Sequence, residues 1–207
     1  MNDHYIKSQG LHINYEIISK FMEQDAKVLD LGCGSGELLK LLKDKKNARG
    51  RGVEIDENNI VKCIEKGLSV FQGNIDEGLK EYQDKSYDYV ILNQTLQCTY
   101  KPEYVIQEML RVGRKVVVSF PNFAYWRVRF QLFFTGQMPK SKILPFEWYD
   151  TPNIHLLTIK DFREFCIKKD ISILNEIYMT RAKAIKSPFH KLLSNFYSEE
   201  VIFVIAK

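Results

Sequence analysis

Three glycines at alternate positions, Gly32, Gly34 and Gly36, are the part of this sequence best suited to binding a small molecule. A glycine has no Cβ, so it adopts positive φ freely and lets a bound molecule approach the backbone closely. An apolar run containing Asp30 precedes the glycines, and a stretch rich in leucine follows them from Glu37. We therefore predict a strand, a glycine loop whose N–H groups face a ligand, and a helix whose positive N-terminus adds to the binding. A glycine-rich turn without a ligand is the alternative.

The spacing of the glycines excludes two common phosphate-binding motifs. The dinucleotide fingerprint G-x-G-x-x-G needs a third glycine where the chain has Glu37, and the phosphate loop G-x-x-x-x-G-K-[ST] has no match. A carboxylate beside a pyrophosphate would repel it. The spacing Gly-x-Gly-x-Gly after Asp30 suits a ligand with a cationic amino end and no phosphate, and S-adenosylmethionine is such a ligand. We predict that the chain binds S-adenosylmethionine or its demethylated product, S-adenosylhomocysteine.

Glu54 is a second acidic position that suits this ligand. It lies at the tip of the second predicted strand, at about the 20-residue offset from the glycine loop at which an acidic side chain reaches ribose hydroxyls. A carboxylate can accept two hydrogen bonds at once from a vicinal diol. We therefore predict that Glu54 binds the ribose. The alternative is a solvated acidic loop, since Asp56 and Glu57 follow at the start of the next predicted helix, where negative charge is favoured anyway.

Asn74 follows the third predicted strand and is a candidate for contact with an adenine ring. Its amide oxygen can accept a hydrogen bond from the exocyclic amine, and Ile55 and Ile75 can hold the ring between them. The alternative is that Gly-Asn forms only a turn, in which Asp76 caps a short helix from Glu77 to Tyr82.

Asn93 and Gln94 end the fourth predicted strand, which is an unbroken apolar run. Ligands of open α/β sheets lie at the carboxyl ends of the strands, so these two amides are placed beside the glycine loop. We predict that they contact the amino-acid end of the ligand. The alternative is a buried polar shelf that only satisfies backbone groups.

The elements that must position these residues alternate regularly through the first half of the chain. Strands and helices follow one another from Lys27 to Phe120, and right-handed crossovers turn that order into a doubly wound parallel sheet. Two further strands, Ser172 to Met179 and Val201 to Ile205, include one antiparallel member. We predict an α/β fold with a mostly parallel seven-stranded sheet of the Rossmann-like type, in a single domain over residues 1–207.

The alternation stops after the fifth strand, and residues 121–155 form a long excursion. A predicted helix closed by Gly136 presents several aromatic side chains, and an aromatic loop then runs from Leu144 to His155. Loops longer than about 12 to 15 residues in a compact domain tend to be functional lids or interaction surfaces. The aromatic side chains of the helix are Trp126, Phe130, Phe133 and Phe134.

Charge, cysteine content and hydropathy argue against nucleic-acid binding, disulfide bonds and a membrane segment. The net charge of +4 is spread too diffusely along the 207 residues to argue for nucleic-acid binding. The four cysteines form no C-x-x-C pair and are predicted to be reduced thiols. An apolar signal region and a run of about 18 apolar residues are both missing from the sequence, so we expect a cytoplasmic protein without a membrane segment.

Several longer segments carry a more specific signal: VLDLGCGSGELL from Val28, GVEID from Gly52, QGNIDEGL from Gln72, YDYVILNQTLQ from Tyr87, SFPNF from Ser119 and EWYDTPNIH from Glu147. They resemble the MetW family of methionine biosynthesis proteins, which have the class I S-adenosylmethionine-dependent methyltransferase architecture. The resemblance implies a cofactor-binding fold that acts with homoserine O-acyltransferase of the MetX type. It also matches Asp30, the three glycines and Glu54 to the ligand loop and ribose acid of the family. Asn74 departs from the family pattern, which has Asp there.

A catalytic residue is not assigned by the sequence. Each candidate base near the predicted site has a structural alternative, and His155 is better explained as a hydrogen-bonded anchor for the excursion; the other candidates are Glu147, Tyr149 and Asp150. The sequence also lacks an Asn-Pro-Pro-Tyr stretch, which N-methyltransferases that act on amides or bases would carry. Two hypotheses therefore stand: an accessory or regulatory partner of homoserine O-acyltransferase that docks through residues 121–155, and an S-adenosylmethionine-dependent methyltransferase acting on a small metabolite. A basic surface for RNA is a weaker third.

Overall fold

The structure, a computed structural model, describes residues 13–141, 143–180, 183–185 and 190–207. The strands of this part are β1 (Lys27–Leu31), β2 (Arg49–Glu54), β3 (Ser69–Gln72), β4 (Tyr87–Asn93), β5 (Gly113–Pro121), β6 (Ser172–Thr180), β7 (Lys183–Ile185) and β8 (Glu200–Ala206). The helices are α1 (residues 13–21), α2 (Glu37–Lys46), α3 (Glu57–Glu65), α4 (Pro102–Val112), α5 (Trp126–Thr135), α6 (Ile159–Lys168) and α7 (His190–Tyr197).

All eight strands form a single sheet in the order β3-β2-β1-β4-β5-β8-β6-β7. The first five strands are parallel to one another, and β8 lies antiparallel between β5 and β6. The predicted α/β fold, a mostly parallel sheet with one antiparallel strand among its seven main strands, is confirmed. The short strand β7 pairs with β6 at the edge and adds an eighth. Three residues are too few for a period-two pattern, so the sequence did not predict it.

The central strands are buried on both faces, as their unbroken apolar runs predict. On one face they pack against α4 and α6 through side chains such as Met109 and Phe162. On the other face they pack against α1 and α2 through side chains such as Ile18 and Leu42. The strand ends that carry the candidate ligand residues are therefore fixed by cores above and below the sheet.

The sequence also predicts two helix starts, with Asp56 as the N-cap of one and Thr158 and Asp161 as the capping box of another, and both are confirmed. The side chain of Asp56 accepts a hydrogen bond from the backbone N–H of Asn59 at 2.9 Å and begins α3. Thr158 and Asp161 form a reciprocal capping box at the start of α6. These caps fix where the connections from β2 and from the excursion end.

The predicted helix from Glu77 to Tyr82 is wrong. The structure has only a short 3-10 turn there, Ile75–Glu77, and Asn74 rather than Asp76 caps it. Gly78 follows with φ 90°, a conformation that ends the turn. The apolar content of this stretch is too low to hold a longer helix against the sheet.

Residues 121–155 leave the sheet after β5, as predicted. The helix α5 ends at Gly136, whose φ of 64° is the left-handed conformation of a helix C-cap. A small apolar cluster of Tyr125, Val128 and Leu144 holds the excursion together. Within the described ranges, none of the helices is long and apolar enough to cross a membrane.

Two predictions fall partly outside the described residues. The sequence predicts a short amphipathic helix from about Leu11 to Met22, and the structure describes it from residue 13 onward as α1. Between its last two predicted strands the sequence also predicts an insertion from Thr180 to Glu200 with a short helix. That helix is α7, whereas Ser187, Pro188 and Phe189 of the insertion lie outside the described residues.

Candidate functional site

The glycine loop, Glu54 and Asn93 meet at one edge of the sheet. Leu31 at the end of β1 pairs with Val53 on one side and with Leu92 on the other. The residues that follow these three in sequence therefore leave the sheet side by side. This is the carboxyl edge of the parallel strands, where ligands of such sheets bind.

The three loop glycines all have positive φ, but they differ in their surroundings. Their φ values are 66° at Gly32, 54° at Gly34 and 79° at Gly36. A Cβ at Gly32 would lie 2.9 Å from Thr95 Cγ2, and one at Gly36 would lie 2.5 Å from Leu68 Cδ1. A Cβ at Gly34 would meet no described atom within 4 Å. Two glycines therefore allow close packing within the protein, and Gly34 borders open space.

The loop amides donate within the protein. Gly32 N and Cys33 N both donate to Val53 O, and Gly36 N donates to Cys33 O. Gly34 N donates to Glu54 Oε2 at 2.7 Å. The expectation that these N–H groups face a ligand is therefore wrong for all four amides. What the loop offers a ligand is the open space at Gly34 and the negative charge of the neighbouring acids, Asp30 and Glu54.

Glu54 is buried and turned toward the glycine loop. Its Oε1 accepts hydrogen bonds from Ile55 N at 2.9 Å and Asp56 N at 3.0 Å, and its Oε2 accepts the bond from Gly34 N. A carboxylate has about four lone-pair sites, so some accepting capacity is left on Oε2. Backbone bonds thus hold the carboxylate in place at the loop, and its contact with a ribose stays a prediction.

Asp30 is the most deeply buried acid of the loop, with only 2% of its surface exposed. None of the described residues donates a hydrogen bond to its carboxyl group or forms an ion pair with it. Burial first, and then the nearby charge of Glu54, raise the pKa of Asp30 to about 8. A cation bound beside this carboxyl would stabilise its charged form.

Three residues that the sequence reasoning missed lie next to this loop. Burial and then the charges of Asp30, Glu37 and Glu200 raise the pKa of Tyr15 to about 12, so its hydroxyl lies within electrostatic range of these acids. Asn14 Nδ2 donates to Glu200 Oε1. Burial raises the pKa of Glu200 to about 8. In the sequence, the only indication that Glu200 lies near the site is its position directly before the apolar run of β8.

Asn93 and Gln94 play different parts. Asn93 Oδ1 accepts a hydrogen bond from Ser119 Oγ, as the alternative of a structural polar shelf proposed. Gln94 N donates to Ser119 O at 3.0 Å, and Gln94 has φ 55°, which is rare for a residue with a side chain. Its Nε2 is buried and makes no hydrogen bond of good geometry with any described residue, although the side chain is near enough to Glu200 to lower the pKa of that carboxyl group. Gln94 therefore has a donor available at the strand end.

Of the residues predicted to contact the adenine ring, Asn74 already forms a hydrogen bond within its own turn. Ile55 is 64% exposed at the tip of β2, whereas Ile75 packs partly against the core. Asn74 Oδ1 accepts from Asp76 N at 3.0 Å, which is the turn of the alternative interpretation. Asp76 itself accepts from Tyr100 N and from the next backbone amide. A carbonyl oxygen has two lone pairs, so Asn74 retains one acceptor position.

The candidate bases of the excursion are mostly turned to solvent or paired. Glu147 forms an exposed ion pair with Lys140 at 2.6 Å, and Tyr149 and Asp150 are exposed. His155 anchors the excursion through its backbone, because its N–H donates to Gln97 O at 3.0 Å. The imidazole forms no hydrogen bond with any residue that the structure describes, and its Nε2 is buried, so within this part of the chain the anchor is the backbone alone.

A family model described as methionine biosynthesis protein MetW matches residues 12–205. The chain belongs to the MetW family. A curated relative of this MetW chain is the bifunctional methionine biosynthesis protein MetXA/MetW of Rhodopirellula baltica, which is 35% identical over 177 residues. The match covers 81% of the MetW chain and 28% of the relative, so the chain spans just over a quarter of that protein's length.

Solved structures confirm the fold of the MetW chain. A chain of the complex between the Haloferax volcanii Trm112 methyltransferase activator and the putative methyltransferase has a TM-score of 0.71 at 16% identity, over 99% of the MetW chain and 92% of its own. A Thermotoga maritima S-adenosylmethionine-dependent methyltransferase, a possible histamine N-methyltransferase, has a TM-score of 0.68 at 14% identity, over 98% and 91%. The MetW chain thus has the Rossmann-like fold of such methyltransferases, and its family is one of methionine biosynthesis.

Proposed function

We propose that this chain binds S-adenosylmethionine or S-adenosylhomocysteine at the carboxyl edge of β1 and β2 and acts as an accessory, regulatory partner of homoserine O-acyltransferase. The observation that carries the binding proposal is the unpaired, buried carboxyl group of Asp30 beside the open space at Gly34. S-adenosylmethionine has an ammonium and a sulfonium group and no phosphate. It therefore supplies the positive charge that this acidic crevice lacks.

Each predicted site residue has a role in this proposal. Glu54, held by three backbone N–H groups, accepts from the ribose hydroxyls with its remaining lone pair. Ile55 and Ile75 hold the adenine, and Asn74 accepts from its amine. Asn93 and Gln94 contact the amino-acid end of the ligand, for which Gln94 Nε2 is a free donor. Gly32 and Gly36 shape the loop, and Asp30 balances the cationic groups.

The partner proposal is supported by the fused relative and by the exposed aromatic side chains of residues 121–155. MetXA and MetW are parts of a single protein in Rhodopirellula baltica, which links the two in function. In this chain Phe133 and Phe134 on α5, and Trp148 and Tyr149 in the following loop, are strongly exposed. Aromatic side chains of this kind are typical anchors of protein interfaces. We propose that the excursion docks on a MetX-type homoserine O-acyltransferase.

Calorimetric titration tests the cofactor. S-adenosylmethionine and S-adenosylhomocysteine are expected to bind, and NAD, which carries a pyrophosphate, is not. Gly34→Ala places a methyl group in the open space and is expected to weaken binding at least about ten-fold. Gly67→Ala is the matched control, since Gly67 has φ 65° and no neighbour within 4 Å but lies at the end of α3. Equal binding of NAD, or equal losses in the two variants, would contradict the proposal.

Co-purification and acyltransferase rates test the partner. The proposal expects a stable complex between the two proteins, and a rate of homoserine acylation that changes when this chain and the cofactor are added. A complex that fails to form, together with an unchanged rate, overturns the partner role and leaves the cofactor proposal standing.

Methyl transfer to a small metabolite is the second candidate function. The fold favours it, and so does Gln94 at the end of β4, which has positive φ and a side-chain Nε2 without a partner among the described residues. Incubation with labelled S-adenosylmethionine and an extract of small metabolites is expected to give a methylated product under this hypothesis. Background turnover in a protein that binds the cofactor would reject it.

A further inference from the structure

A second buried carboxyl group, Glu200, lies at the same edge of the sheet as the glycine loop. Glu200 is the first residue of β8 and pairs with Pro121 of β5 and Met179 of β6. Because β8 runs antiparallel to β5, its first residue stands at the carboxyl edge of the parallel strands. The charges of both Asp30 and Glu200 raise the pKa of Tyr15, so both acids lie within electrostatic range of the same hydroxyl group.

The polar groups around Glu200 are incompletely paired. Asn14 is 1% exposed, and while its Nδ2 donates to Glu200, its Oδ1 has no partner. The amide of Gln94 lies near the same carboxylate and favours its charged form, yet its buried Nε2 lacks the alignment of a hydrogen bond. The cluster therefore contains an acid, a free acceptor and a free donor from three different elements.

A purely structural role explains this arrangement poorly. A buried carboxyl group in a protein is usually paired with a cation or keeps its proton, because an unpaired buried charge is strongly unfavourable, and a cation bound beside it would stabilise the charged form. Among the residues that the structure describes, no lysine, arginine or histidine forms an ion pair with Glu200. The left-handed backbone at Gln94 adds strain at the same place, and such strain concentrates at ligand sites.

We propose that Glu200, Asn14 and Gln94 form a binding subsite for a small primary amine that carries an oxygen acceptor close to its nitrogen. The ammonium group donates to the Glu200 carboxylate and to Asn14 Oδ1, and Gln94 Nε2 donates to the oxygen of the same molecule. Amino alcohols are the simplest members of this class. The subsite adjoins the proposed cofactor site and shares Gln94 with it, but it goes beyond that site because Glu200 and Asn14 have no part in the proposed cofactor binding.

The test compares 3-amino-1-propanol with 1,3-propanediol, which lacks the amine, by NMR titration of isotopically labelled protein. The amine is expected to bind at least about ten-fold more tightly than the diol, because only the amine forms a charge-assisted hydrogen bond. Glu200→Gln is expected to remove this preference. Glu65→Gln, which changes an exposed acid at the end of α3, is the matched control and is expected to keep it.

Two further variants complete the test: Asp30→Asn distinguishes the subsite from the cofactor site, and Gln94→Asn, at the residue that both sites share, separates loss of the amide from loss of folding. Gln94→Asn keeps a residue that tolerates positive φ but withdraws the amide, and it is expected to weaken amine binding while thermal unfolding stays close to wild type. Asp30→Asn is expected to leave amine binding in place. Three outcomes would each overturn the subsite. The first is equal affinity for the amine and the diol, and the second is a preference for the amine that survives Glu200→Gln. The third is a preference for the amine that Asp30→Asn alone removes. None of these outcomes depends on whether S-adenosylmethionine binds.

Discussion

The Glu54 carboxylate accepts a hydrogen bond from the backbone N–H of Gly34 at 2.7 Å, and this bond joins the end of β2 to the glycine loop that follows β1. The other carboxylate oxygen is fixed by the two amides that follow Glu54 in sequence. An acid held in this way has little side-chain entropy left to lose when a ligand binds. Glu54 is therefore oriented for its proposed contact before the cofactor arrives.

Glu54→Gln is expected to weaken binding of S-adenosylmethionine about 10- to 100-fold, or about 1 to 3 kcal/mol. An amide has a single acceptor oxygen, so it can satisfy either Gly34 or the amides of Ile55 and Asp56, but not both sets. Calorimetric titration measures the affinity, and thermal unfolding shows whether the protein is still folded. Glu65→Gln serves as the exposed control, and an unchanged affinity in Glu54→Gln would argue against the ribose contact.

The stability of the ligand-free protein is expected to fall as pH rises from about 4 to about 8. Asp30 has its pKa raised from 3.8 to about 8, so across this window the native state holds a proton that the unfolded state has released. Glu200 acts in the same direction, from 4.5 to about 8. Asp30→Asn removes the contribution of Asp30, so its unfolding free energy is expected to depend less on pH and to exceed that of wild type at pH 8.

Urea unfolding at several pH values from 5 to 8 measures this effect. Asp44→Asn is a suitable control, because Asp44 is exposed and forms only a surface ion pair with Lys40. A pH profile of Asp30→Asn that is as steep as that of wild type would contradict the assignment of a buried, protonated carboxyl group.

The position of the site was predictable because the carboxyl ends of parallel strands share an edge. The order of strands brought Asp30, Glu54 and Asn93 together without any knowledge of their side-chain contacts. The detailed role of the loop was not predictable, since only the structure shows that Val53 O and Glu54 accept its amides. Hydrogen bonds between strands depend on register, which spacing along the chain does not give.

The contribution of the chain ends was also missed. Tyr15 belongs to α1 and Glu200 to the last strand, and they reach the site only because β8 inserts between β5 and β6. The oxygen of Asn74 also caps a short turn, whose formation depends on the next few residues, while its ligand role stays a prediction. Residues far apart in sequence, and turns with little apolar content, carry weak local signals.

Gly36→Ala is expected to destabilise the protein by about 2 to 4 kcal/mol, from overpacking together with left-handed strain. A Cβ there would lie 2.5 Å from Leu68 Cδ1 and 2.9 Å from Cys63 Sγ. Gly67 has a similar φ but no neighbour within 4 Å, so Gly67→Ala measures the backbone strain without overpacking. It is expected to lower the free energy of unfolding by about 1 kcal/mol. Urea unfolding measures both, and equal losses would mean that packing against α3 contributes nothing.

Phe133→Ser is expected to weaken association with the MetX-type acyltransferase by about 30-fold or more, as removal of an interface anchor does. Phe133 is 80% exposed on α5, so its loss is expected to change the free energy of unfolding by less than about 0.5 kcal/mol. Ile167→Ser is the matched control, because Ile167 is 78% exposed on α6, outside the excursion. Surface-immobilised acyltransferase gives the affinities directly. If Ile167→Ser weakens binding as much as Phe133→Ser, the partner does not dock on residues 121–155.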